Sequence, residues 1–69
     1  MYRFIGKKIK KLRCAKGLTQ EELSELLYVT PQAISKWERG LGYPDSSQIV
    51  PIAKIFGVSA DELLGAYDE

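Results

Sequence analysis

The 69-residue chain contains no histidine and one cysteine, Cys14. A structural zinc site therefore lacks ligands and an internal disulfide lacks a partner, so the fold must hold by packing alone. The missing imidazole also removes the commonest general base and the commonest metal ligand. No nucleophile–base pair, phosphate-cradling glycine loop or metal cluster stands in its place, which argues against an enzyme and against any cofactor or small-molecule ligand. No apolar run approaches the roughly 20 residues that a membrane span requires. Residues 1–6 carry charge but no apolar segment of signal-peptide length, so the expectation is a cytoplasmic protein with no membrane partner. A chain this short closes one core and hides only about 60% of its unfolded surface, which implies a single domain over residues 1–69 with a small stability margin.

Charge of one sign is scarce in each half. Through Gly40 nine bases stand against four acids, a net of +5, whereas from Leu41 onward Lys54 faces five acids, a net of −4. A basic half suits an anionic partner such as nucleic acid, and a solvated lysine face on the first helix explains Lys7 to Lys11 equally well. Cys14 lies opposite the apolar stripe of that helix and reads as an exposed, inert thiol.

What the chain does have is helix punctuation, and no strand pattern competes with it. Ile5, Ile9, Leu12 and Lys16 follow helical spacing, so a first amphipathic helix runs from about Phe4 to Lys16 and ends at Gly17. Thr19 with Glu22 forms a capping box that opens a second helix, with Leu23, Leu26 and Leu27 as its buried stripe. Thr30 followed by Pro31 opens a third, which reaches about Arg39 and stops at Gly40. Only Tyr28 and Val29 separate these two helices, so they should cross steeply. Asp45 with Gln48 caps a fourth helix whose buried face is Ile49, Ile52, Ala53 and Phe56. Pro51 interrupts its ladder, so its regular part is expected nearer Val50. Gly57 stops it, and Ser59 with Glu62 frames a short fifth helix carrying Leu63 and Leu64.

A capped helix, a tight turn and a second capped helix is the arrangement by which one helix enters the DNA major groove while its predecessor braces across the backbone. On the third helix Ile34 and Trp37 point inward, which makes Trp37 a core anchor rather than a base-stacking ring. Gln32, Ser35, Lys36 and Arg39 fall on the opposite side. An amide suits adenine and lysine suits the acceptors of guanine, while serine and arginine serve phosphate or base. Gln20 sits at the first turn of the second helix, where free N–H groups and the helix dipole attract a phosphate.

Four segments in order, Ile9 with Leu12-Arg13, Gly17 to Ser24, Thr30 to Gly40 and Gly57 to Leu64, resemble the lambda-repressor-like or Cro-type helix-turn-helix family over nearly the whole chain. The resemblance implies an all-α, compact five-helix domain with the helix-turn-helix formed by helices 2 and 3. It further implies a phosphate contact for Gln20, base readout by Gln32 and Lys36 with Thr30, Pro31 and Ser35 beside them at the groove, and backbone contacts for Arg39 and Tyr43. Arg13 and Glu38 stand where family members join helix 1 to helix 3 by an ion pair. Tyr28 departs from the pattern, since the family favours glycine or asparagine at a left-handed turn position. Adopting that conformation costs tyrosine on the order of 1 kcal/mol, and the alternative is a slightly rearranged turn.

The functional expectation is a sequence-specific regulator, a homodimeric repressor on a palindromic operator, with Leu63, Leu64 and Tyr67 as the dimer surface. The rival expectation is an antitoxin-like or adaptor module that binds protein through the acidic half. The chain is expected to be either a minimal regulator or the DNA-binding piece of a longer one.

Overall fold

The computed structural model describes residues 5–64 and is all-helical there, with helix starts after Thr19, Thr30 and Ser59 and stops at Gly17, Gly40 and Gly57 as the sequence leads one to expect. The helices are α1 (Ile5–Ala15), α2 (Gln20–Leu27), α3 (Pro31–Glu38), α4 (Ser46–Phe56) and α5 (Ala60–Leu63). Thr19 Oγ1 accepts from the Glu22 N–H at 3.0 Å while the Glu22 carboxylate accepts from the Thr19 N–H at 2.9 Å, completing the capping box of α2. Thr30 Oγ1 accepts from the Ala33 N–H at 3.1 Å with Pro31 at the first helical position, and Ser59 Oγ accepts from the Glu62 N–H at 3.0 Å. Each bond satisfies an amide that the helix itself leaves unpaired.

Four helix ends share one closure. A left-handed residue is followed by an N–H that reaches five residues back: Leu18 to Arg13, Val29 to Ser24, Leu41 to Lys36 and Val58 to Ala53, all between 2.9 and 3.0 Å. In three of them the left-handed residue is glycine, and at the end of α2 it is Tyr28, with φ 60° and ψ 39°. Leu18, Val29 and Val58 then turn back onto the core, the apolar contact that accompanies this motif.

Two expectations need correcting around α4. The helix begins at Ser46, not near Val50, and continues through Pro51. Proline's fixed φ is helical, and the Ser47 carbonyl that loses its donor lies on an exposed face, so burial of Ile49, Ile52, Ala53 and Phe56 outweighs one missing bond. Asp45 occupies the N-cap position but forms no side-chain cap; Ser47 Oγ donates to its carboxylate at 3.0 Å instead. A third correction concerns α2, where Leu23 and Leu27 are buried but Leu26 is 53% exposed. Leu26 lies on the flank of the stripe that the other helices do not cover.

The core joins Ile5 and Ile9 of α1, Leu23 and Leu27 of α2, Ile34 and Trp37 of α3, the four apolar residues of α4 and Leu63 of α5. Here α3 packs against both α1 and α2, while α4 packs against α2 and α5. At Gly6 the helices α1 and α3 touch backbone to backbone: a Cβ there would overlap the Trp37 carbonyl oxygen and lie 2.8 Å from its carbon. Only glycine permits that approach.

Candidate nucleic-acid interface

Helix α3 is held from behind and open in front. Ile34 and Trp37 are buried on its inner side, whereas Gln32, Lys36 and Arg39 are exposed and Ser35 is half-buried on the outer side. Thr30 and Pro31 stand at its first turn, with the Thr30 hydroxyl already committed to the cap. Arg39 follows the last turn, and its Nε donates to the Ser35 carbonyl and hydroxyl at 3.3 and 3.2 Å, which folds its stem along the helix. Tyr43 is exposed in the segment between α3 and α4 and shares a shallow cleft with Arg39. The fold thus brings Thr30, Pro31, Gln32, Ser35, Lys36, Arg39 and Tyr43 onto α3 and the segment after it.

Behind this surface Glu38 gathers three helices on one carboxylate. Arg13 Nε donates to Oε2 at 2.7 Å and Arg13 Nη2 to Oε1 at 3.1 Å, while Nη1 donates to the Leu18 carbonyl at 2.8 Å. Gln20 Nε2 adds a bond to Oε1 at 2.9 Å. The side chains of Arg13 and Glu38 are only 12% and 3% exposed, so the pair is largely shielded from solvent. The hydrogen bond to Glu38 raises the arginine pKa above its ordinary value, although burial works against the shift. Gln20, at the start of α2, thus reaches back toward the end of α3, and its amide supports the ion pair as it stands.

The C-terminal residues divide. Leu63 lies wholly in the core and Leu64 is half-buried against it, so any partner surface there falls to Leu64; Tyr67 lies outside the described residues. Sequence reasoning missed Gly6, although a glycine inside the first turn of an amphipathic helix, where it costs about 1 kcal/mol against alanine, is a signal of close packing. Among the described residues no cluster of acidic residues and cysteine could hold a metal, and no helix is long and apolar enough to cross a membrane.

Comparison with known proteins agrees with this architecture. A helix-turn-helix family model matches residues 9–63. The chain is 53% identical over 59 residues to the HTH-type transcriptional activator BcrR of Enterococcus faecalis, a match covering 86% of this chain and 29% of that protein. It is 36% identical over 69 residues to y4dJ of Sinorhizobium fredii, an uncharacterized HTH-type transcriptional regulator, covering 90% of it. Among solved structures, the clp gene regulator ClgR from Corynebacterium glutamicum superposes with a TM-score of 0.82 at 28% identity, covering 91% of this chain and 67% of that one. The chain spans about half or less of the length of several curated relatives it matches. Its fold, its capped α2–turn–α3 pair and these matches together make the chain a member of the Cro-type helix-turn-helix family.

Proposed function

We propose that this chain binds double-stranded DNA sequence-specifically, with α3 in the major groove, and regulates transcription as a homodimer on a roughly palindromic operator. The observation that carries this reading is the two-sidedness of α3. Its inner face is fixed by Ile34, Trp37 and the Glu38 ion pair, and its outer face presents an amide, a hydroxyl and two cations. Gln32 and Lys36 read base edges, with Ser35, Thr30 and Pro31 beside them. Arg39 and Tyr43 hold the backbone on one side, and Gln20 at the start of α2 holds it on the other, exchanging its bond to Glu38 for a phosphate oxygen. Two half-sites about 34 Å apart bring two copies of α3 into successive grooves, with Leu64 toward the partner copy. Occupancy of a promoter by such a dimer represses by occlusion.

The name of BcrR as an activator supports a second reading, in which the same contacts recruit rather than block. In both readings α3 makes the DNA contacts. An adaptor role for the acidic half is the remaining rival.

Selection of sites from a random duplex library, with affinity for the winner followed against salt, tests the proposal. Two enriched inverted half-sites about one helical turn apart, bound with steep salt dependence, support it. An absence of enrichment with salt-insensitive capture of a protein partner overturns it in favour of the adaptor.

A further inference from the structure

Where α1 begins and α3 ends, a shallow cleft of about 180 Å3 opens between Gly6 and Lys7 on one side and Glu38, Arg39, Gly40 and Tyr43 on the other. We propose that this cleft seats one phosphate of a DNA strand, with Lys7 as a backbone contact contributed by α1 beside Arg39 and Tyr43. The inference rests on the DNA-binding reading and adds a residue from outside the helix-turn-helix to it.

The backbone contact at Gly6 sets the geometry. With no Cβ between them, the first turn of α1 lies directly on the Trp37 carbonyl, so the next residue, Lys7, stands beside the end of α3. Lys7 is exposed and pairs with no carboxylate among the described residues. Arg39 uses its Nε on Ser35, which fixes the stem and leaves its two terminal amino groups without a partner among the described residues. Glu38 is the carboxylate in the lining, and it does not oppose an anion. Its side chain is 3% exposed, and both of its oxygens are taken by Arg13 and Gln20. Gly40 offers no side chain to the entrance, and nothing lies within 4 Å of where a Cβ would sit. The cleft therefore presents two cations around a neutralised acid, next to the end of the helix that faces DNA.

A phosphate contact carries no sequence information but releases counterions, which gives it a signature distinct from that of a base reader. The test compares the 69-residue chain with Lys7→Gln and with Lys10→Gln, which removes the same charge from an exposed position of α1 outside the cleft. Binding is measured against salt on the enriched duplex and on a scrambled duplex. The expected result for Lys7→Gln is a several-fold loss on both duplexes, an unchanged preferred sequence, and a slope of log K against log salt shallower by about 0.9. Lys10→Gln should keep the wild-type slope, and Lys7→Arg should restore it. Equal slopes for Lys7→Gln and wild type, equal losses in the two glutamine variants, or an altered base preference in Lys7→Gln would each overturn the proposal. A wild-type chain that binds no duplex overturns the DNA reading itself, an outcome distinct from wild-type binding that Lys7→Gln leaves intact.

Discussion

Arg13 grips Glu38 with two nitrogens on two oxygens, at 2.7 and 3.1 Å, and so ties α1 to the last turn of α3. Removing one partner strands a charge that has little access to water, which is the expensive way to break such a pair. Arg13→Ala is expected to cost on the order of 3 kcal/mol in denaturant unfolding. The double variant Arg13→Met with Glu38→Leu should recover most of that loss, because well-packed apolar residues replace a shielded ion pair at little cost. The bond to Glu38 holds the arginine pKa above its unfolded value, so the resulting stability is complete below that value and is lost only as pH rises through the folded one. The difference in unfolding free energy between wild type and the Arg13→Met, Glu38→Leu double variant, which leaves no stranded carboxylate, should therefore stay constant from neutral pH to about pH 10.

Gly6→Ala places a methyl group on the Trp37 carbonyl. The two helices must part, and overpacking of this kind costs about 2 kcal/mol, or a drop of about 10 °C in Tm for a domain of this size. Gly42→Ala is the matched control, since its Cβ meets nothing within 4 Å and its φ is not left-handed. It should be neutral or stabilising by about 0.5 kcal/mol. Thermal unfolding followed by circular dichroism separates the two, and equal Tm values would refute the backbone contact.

Tyr28 sits left-handed at φ 60° with its side chain 95% exposed, so no packing within the described residues repays the conformation. The penalty for an L side chain there is about 1–2 kcal/mol, larger than the extra unfolded-state freedom of glycine at about 0.5–1 kcal/mol. Tyr28→Gly should therefore raise stability by about 0.5 kcal/mol. A loss measured in urea titration would show that the ring contributes a contact.

Gln32→Ala should weaken specific binding by about 1–3 kcal/mol and relax preference at one base pair, while leaving the salt slope as it is. Repeating the site selection with the variant reads this directly. Unchanged selectivity would remove Gln32 from base readout.

Local signals were the legible ones. The caps at Thr19, Thr30 and Ser59 and the stops at Gly17, Gly40 and Gly57 depend on residues within one turn of each other, and so they can be read along the chain. Inward placement of Ile34 and Trp37 follows from helical period alone. What period cannot show is how wide a face the neighbouring helices cover, which is why Leu26 belongs to the stripe by spacing and to the surface by packing. Asp45 occupies the cap position without capping, and its carboxylate accepts instead from a hydroxyl two residues on, Ser47 Oγ. The contact between Gly6 and Trp37 joins residues far apart in sequence and has no local mark beyond the glycine itself. Arg13 and Glu38 lie 25 residues apart, and along the sequence only the family resemblance links them.

Within the eight residues of α3, what keeps the domain folded and what faces outward occupy different sides of one cylinder. Ile34, Trp37 and Glu38 are answerable to the rest of the protein, whereas Gln32 and Lys36 are answerable to almost none of it. Substitutions at the outward positions therefore leave the core contacts of α3 untouched, so what the helix faces can change without the fold changing. Such a domain is easily duplicated and re-addressed, its architecture inherited whole while its address is rewritten.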